Sequence, residues 1–204
     1  ASRWDCTLEP TETDGRLAVR LGFRLVAGLK NEEGAALAAA RASQSYADVN
    51  DVWRRSAVQV SSLVRLAEAD AFQPSMRLSR RDALWAIKAL RDNPLPLFTT
   101  KEDAQPVPEV NEVAVRLKAM TAGHEVIEDY AHLGLTLRAH PVTFLRPNLA
   151  AKKIISCADA AARPDRHKVI TAGLVLVRQR PGSAKGVMVI TIEDETGTAH
   201  LVVW

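Results

Sequence analysis

The chain switches between two hydrophobic periods, and the change falls near Lys168. Before it, apolar residues recur three and four positions apart, the stripe of an amphipathic helix. After it come KVITAGLVLVR, VMVITIE and TAHLVVW, runs of β-branched and apolar residues with turn residues between them, which read as strands. In the helical part, Asn31 followed by Glu32 and Glu33 marks a helix start, and the helix runs through GAALAAARA to about Ser43. Ser45 with Asp48 opens a second helix, with Val49, Val52 and Trp53 on one face. A break at Ser56–Gln59 leads into a third, carrying Val60, Leu63, Val64 and Ala67 and ending near Pro74. Ser79 and Asp82 open a fourth, with Ala83, Ile87 and Leu90 inward. Val113, Leu117 and Met120 predict one further helix, and Ile127 with Tyr130 another that stops at Gly134. Pro141 suits the first turn of a short helix, and Ser156 with Asp159 caps a last one before Pro164. Residues 1–15 read as loop, and Leu17–Leu29 as a short strand or half a helix.

The expected class is α+β: a helical tandem helix-hairpin-helix module and linker helices, then the first strands of an OB-fold barrel. The first hairpin is Val26-Ala27-Gly28-Leu29-Lys30-Asn31, an apolar-x-Gly-apolar turn entering a helix. Glycine lets the backbone approach a phosphate, and the first helical amides point at it. Gly28, Leu29, Lys30 and Asn31 are therefore candidate DNA-backbone contacts. Lys30 stands where a second glycine is usual and would act as a point charge. A plain αα-hairpin with a glycine turn fits the same residues. Ala47–Arg55, a short turn and Val60–Asp70 repeat the shape, but the second turn, Ser56-Ala57-Val58-Gln59, has no glycine.

Residues 93–109 carry four prolines and no helical period, the signature of a linker. Within it, Leu95, Leu97 and Phe98 have the look of a short docking peptide, or of anchors for the chain's own fold. In the strand part, the loop Gln179–Gly186 joins the first two strands. In an OB fold that loop lines the ligand groove, so Arg178, Arg180 and Lys185 are candidate phosphate contacts for a single strand. Flat stacking partners are few there, Trp204 and His200. A small barrel used for protein contact is the competing reading. Three strands before Trp204 are fewer than the five of an OB barrel, so the chain is expected to be a piece of something longer.

Composition adds little until charge is mapped. At 204 residues, 47% hydrophobic and 25% charged, the chain has the make-up of an ordinary globular protein, and its net charge is only +3. The basic residues cluster, however. Residues 163–186 hold Arg163, Arg166, Lys168, Arg178, Arg180 and Lys185 against Asp165 alone, and residues 16–30 hold Arg16, Arg20, Arg24 and Lys30 against no acid. Such stripes are the footprint of phosphate binding or of a solvated face. Cys6 and Cys157 are too far apart for zinc spacing or a disulfide framework, which points to a reducing cytoplasm. The N-terminus has no apolar signal-peptide core, and no run is long enough to span a membrane. Glu193-Asp194-Glu195 could be read as metal ligands, but Asp194-Glu195-Thr196-Gly197 fits a hairpin turn far better. His124, His132 and His140 lack ligand spacing. No nucleophile elbow, phosphate loop or dinucleotide fingerprint occurs, so no catalytic residue, metal ligand or cofactor is assigned.

Several segments together resemble one family. They are Trp4-Asp5-Cys6-Thr7-Leu8-Glu9, Arg20-Leu21-Gly22-Phe23, Leu66–Phe72, Arg81-Asp82-Ala83-Leu84-Trp85, Asp129-Tyr130, Gly134–Pro141, Val175–Gly186 and Glu193–Gly197. In order and over essentially all 204 residues they resemble the C-terminal part of bacterial error-prone DNA polymerases, C-family paralogues of the polymerase III alpha subunit. The resemblance implies a division into residues 1–15 (tail of the fingers region), 16–75 (tandem helix-hairpin-helix module gripping duplex DNA), 76–164 (helical and Pro-rich linker region) and 165–204 (incomplete OB fold, single strand). It implies a role in damage-induced translesion synthesis and mutagenesis, with accessory proteins and the sliding clamp as partners. Magnesium would belong to the parent polymerase, whose catalytic aspartates have no counterpart here. The strand part also resembles the anticodon-binding region of class II tRNA synthetases, and a pure protein-docking region is the third reading.

Overall fold

A computed structural model describes residues 1–11, 16–90, 117–182 and 186–204. The expected Pro-rich linker peptide with Leu95, Leu97 and Phe98 lies outside the described residues, as do Val113 and Lys185. The fold is α+β, a helical region followed by an antiparallel sheet. The chain divides into two compact units, residues 1–121 with 128–135, and residues 122–127 with 136–204.

The first unit opens with a β-hairpin where the sequence pattern suggests loop. Strand β1 (Thr7–Pro10) pairs antiparallel with β2 (Leu17–Arg20), Thr7 opposite Arg20. Arg20 closes the pairing by an ion pair to Glu9 at 2.6 Å. A single 3-10 turn, Phe23–Leu25, follows. The ambiguous segment Leu17–Leu29 is thus partly strand and partly a very short helix. Two glycines fix the path of the N-terminal segment across it. A Cβ at Gly22 would lie 2.3 Å from the Trp4 carbonyl oxygen, and one on Gly34 would lie 2.8 Å from the Trp4 ring. The gaps left by these missing side chains seat Trp4, and the amides of Phe23 and Arg24 bond to the carbonyls of Arg3 and Trp4.

Helices α1 (Asn31–Arg41), α2 (Val49–Ser56), α3 (Val60–Glu68), α4 (Gln73–Met76) and α5 (Arg80–Lys88) build the rest. Their starts follow cap chemistry. The Asp48 carboxylate accepts the Asp51 amide at 2.8 Å, so Asp48 and not Ser45 is the cap of α2. Ser79 accepts the Asp82 amide and caps α5 as its spacing predicts. Lys30 is the residue before α1, which moves the expected cap at Asn31 one position inward. Pro74 sits in the first turn of α4, where its missing N–H is no loss, so it begins a helix instead of ending one. The core gathers Leu29, Leu37, Val52, Val58, Leu63, Leu66, Phe72 and Ile87.

Helix α6 (Ala122–Leu133) ends at Gly134, φ +73, the left-handed stop expected there. Leu117 and Met120 precede it without helical structure. Its second half supplies Asp129 to the first unit. The Arg80 guanidinium donates to the Asp129 carboxylate at 2.7 Å and to the Glu68 carbonyl at 2.8 Å, with both charged side chains almost fully buried.

In the second unit, the 3-10 segment Pro141–Leu145, helix α7 (Arg146–Ala151) and helix α8 (Cys157–Ala161) precede a meander of β3 (Leu174–Gln179), β4 (Met188–Asp194) and β5 (Gly197–Val203). The sheet order is β3-β4-β5, all antiparallel, with a bulge between Val175 and Val177. Residues 168–173 make only an isolated bridge, Thr171 to Ile155, so the first strand starts later than its apolar pattern suggests.

Removing one partner of a buried pair strands the other charge away from water, which typically destabilises by about 3–5 kcal/mol. Arg80→Met should lower the unfolding free energy by that order, read as a lower urea midpoint, and Asp129→Leu added to it should recover part of the loss. Equal midpoints for parent and Arg80→Met would show the pair to be energetically idle.

Candidate nucleic-acid interface

The first hairpin turn is closed by the Leu29 amide donating to the Val26 carbonyl at 3.2 Å. Gly28 occupies its third position with φ +74, a conformation that glycine adopts without steric penalty. Leu29 then turns into the core, Lys30 is extended (φ −87, ψ 150), and α1 begins. The second hairpin repeats this path without the glycine. Ala57 takes the left-handed conformation (φ +52), Val58 is buried, Gln59 is extended (φ −65, ψ 147), and α3 begins. A non-glycine residue in this region is strained by roughly 1–2 kcal/mol. The second turn therefore keeps the backbone shape that the missing glycine would have supplied freely.

The two hairpins are offset by 29 residues, the separation of Glu33 and Ser62, and those equivalent residues touch. The Ser62 hydroxyl, fully buried, donates to the Glu33 carboxylate, which also accepts the Lys30 amide at 3.1 Å. Burial opposes ionisation of Glu33, but these two hydrogen bonds win and hold its carboxyl below the ordinary value. Arg65, on α3, reaches across to donate to the Gly28 carbonyl at 2.5 Å. The turn of the first hairpin is thus held by the second.

Gly28, Lys30 and Asn31 are exposed and adjacent, as a phosphate contact needs. Leu29 departs from the expectation: its side chain is in the core and its amide is bonded within the turn, so it offers a phosphate no donor. The Lys30 amide is likewise taken by Glu33, leaving its ammonium and the first-turn amides of Asn31 and Glu32 for a ligand. The basic stripe of residues 16–30 is weaker than it looks in sequence. Arg20 is paired with Glu9, and Arg24 with Asp5 at 3.0 Å. Sequence order hides these partners because they arrive from the other strand and the N-terminal segment. Arg55 is structural as well, donating to the Ala40 and Gln44 carbonyls at the end of α1 and stacking on Tyr46.

In the second unit, Arg178 lies on β3 and donates to the Met188 sulfur at 3.2 Å, and Arg180 follows just past the strand; both are exposed. His200 bonds the Thr191 hydroxyl across the sheet, while Trp204 is 94% exposed. The acidic run forms the two-residue hairpin Glu195-Thr196 between Asp194 and Gly197. Its carboxylates have structural work. Asp194, buried, accepts the Cys157 amide at 2.7 Å, the Thr196 amide at 2.8 Å, the Thr196 hydroxyl at 2.6 Å and Arg146 at 2.8 Å. Glu195 takes the other side of Arg146 at 2.5 Å. The Thr196 hydroxyl also accepts the Ala158 amide, so the hairpin caps the start of α8. Carboxylates engaged in this way do not fit a magnesium site, and among the described residues no cluster of three or more His, Cys, Asp or Glu residues is placed to hold a metal. His140 bonds the Val142 amide and starts the Pro141 turn, a local structural role.

Comparison with known proteins gives two kinds of match. Residues 1–83 match the family model described as helix-hairpin-helix motif. Over its whole length the chain is similar to stretches of error-prone DNA polymerases: it is 60% identical to error-prone DNA polymerase 2 of Rhizobium meliloti and 62% to error-prone DNA polymerase 2 of Agrobacterium fabrum. A more distant relative, error-prone DNA polymerase of Ruegeria pomeroyi, is 46% identical. The chain spans 19% of the first two and 18% of the third.

Burial resists ionisation of Asp194, yet the bonds from Thr196 and the Cys157 amide hold its carboxyl far below the ordinary range. A folded pKa below the unfolded one stabilises above the unfolded value, about 3.9, and the contribution is lost as pH falls further. Stability of the second unit should therefore drop between about pH 4 and pH 2. Asp194→Asn should lower neutral-pH stability by about 2–3 kcal/mol and flatten that acid response. Parent-like urea midpoints for the variant across this range would contradict the assignment.

Proposed function

We propose that this chain is the DNA-holding region on the C-terminal side of an error-prone DNA polymerase, a C-family enzyme acting in damage-induced translesion synthesis and mutagenesis. The carrying observation is the repeated hairpin: two turns 29 residues apart share one backbone path, the second by straining Ala57. Whole-length similarity to error-prone polymerases supports the parent assignment. In this reading, the exposed Gly28–Asn31 edge tracks the phosphates of duplex DNA without reading sequence. The β3-β4-β5 meander is the start of an OB barrel, with Arg178, Arg180 and Lys185 toward single-stranded DNA. The region holds no catalytic site of its own; magnesium and nucleotide chemistry belong to the rest of the polymerase. Mutagenesis accessory proteins and the sliding clamp are the expected partners, with Leu95, Leu97 and Phe98 as the docking candidate, and the setting is cytoplasmic. Among the described residues no helix is long and apolar enough to cross a membrane.

Anisotropy titration against a duplex at two salt concentrations tests the hairpin. The parent should bind with a salt-dependent slope, and Lys30→Ala should flatten it by about 0.9, one B-DNA phosphate. Gly28→Val should weaken duplex binding several-fold, because its Cβ is strained at φ +74 and approaches Arg65. Parent-like duplex binding by both variants would make the hairpin a structural turn only.

A further inference from the structure

We infer that a basic concavity in the second unit, beside the end of α7, binds the backbone of single-stranded nucleic acid; this rests on the DNA-binding reading above and adds a contact to it. The hollow has a volume of about 250 Å³. Lys153, Arg163, His167 and Lys168 line it, and none of these side chains has a hydrogen-bond or ion-pair partner among the described residues. The remaining wall is apolar, from Ile155, Val169 and Ile170, the last 64% exposed. The unpaired Lys153, Arg163 and Lys168 beside exposed apolar surface give what a nucleotide asks for: charge for the phosphate and a dry face for the sugar or base.

The site is built rather than incidental. Its two walls are joined, since the Ile155 amide donates to the Ile170 carbonyl at 2.9 Å and the Thr171 hydroxyl to the Ile155 carbonyl at 3.0 Å. Lys153 stands at the left-handed stop of α7 (φ +59). There its amide bonds the Ala150 carbonyl and the next amide bonds that of Leu149. Glycine is the usual residue in this stop. A lysine there carries strain that glycine would remove, and its ammonium is what that strain retains. Arg166, next to His167, is a second cation at positive φ (+68). A flexible single strand can turn its backbone into such a hollow, whereas the phosphates of a rigid duplex stay on a convex cylinder. Asp165 is the sole acid between Arg163 and Lys168, so this stretch of the chain carries a net positive charge.

The experiment titrates the whole chain with an oligothymidylate of about 20 nucleotides, an oligouridylate of equal length, a duplex and polyglutamate, each at low and moderate salt. Arg163→Ala with Lys168→Ala should lower affinity for both single strands about tenfold and flatten their salt slope by about 0.7 per lost contact. Lys153→Gly should weaken the same binding several-fold while leaving the melting temperature equal or higher, which a merely structural lysine would not do. Duplex binding should stay near the parent's. If the pocket variants bind single strands like the parent while Lys30→Ala still weakens duplex binding, the pocket is overturned and the hairpin reading stands. If the parent binds single strands through the pocket but no duplex, the hairpin reading falls and the pocket stands. A parent that binds no DNA overturns both, and a loss confined to polyglutamate overturns the pocket in favour of an acidic protein.

Discussion

One carboxylate ties the helical module together. Glu33 sits at the start of α1, closes the amide of the residue before that helix, and receives the hydroxyl of its own repeat equivalent, Ser62. This hydrogen bond joins equivalent positions of the two hairpins, so the repeats are tied to each other directly. Leu37 on α1 and Leu66 on α3, again 29 residues apart, are both buried in the same core. The carboxylate has a second consequence. It occupies the Lys30 amide, so of the donors at this turn the Lys30 side chain and the amides of Asn31 and Glu32 are the ones left open.

The second unit is organised by a similar economy. Asp194, Glu195 and Thr196 are a turn by sequence, but in three dimensions they are also a cap for α8 and a seat for Arg146. Burying a carboxylate is costly unless its lone pairs are filled, and here four donors fill those of Asp194. Of the three acids in the run, Asp194 and Glu195 are consumed in seating Arg146, and Asp194 also in holding the start of α8 against the sheet.

Features governed by near neighbours were legible in the sequence. The caps at Ser79 and Ser156, the stop at Gly134, the turn before Gly197 and the strand pattern after Lys168 depend on residues a few positions apart, and they are where the pattern puts them, the first strand starting late. The first hairpin was legible through Gly28. The strained copy at Ala57 was only half legible, because no residue type announced its positive φ. Long-range pairings were not legible: Arg20 with Glu9, Arg24 with Asp5, and the Cys157 amide with Asp194, 37 residues away. Each engages a charge or donor that the sequence alone leaves open. The basic hollow was visible only as a run of cations; Ile155 and Lys153 join it through a turn and a bridge.

The seating of Trp4 bears on how this region could be dissected. Its ring rests on Gly34 of α1, and its carbonyl presses on Gly22 and bonds the amide of Arg24. A boundary at residue 16, the one the family resemblance implies, would cut away the indole and leave a bare glycine-floored slot on the first helix of the hairpin module. The N-terminal segment behaves as a splint laid along the module, so its first residues belong to the smallest piece expected to keep the hairpins in shape.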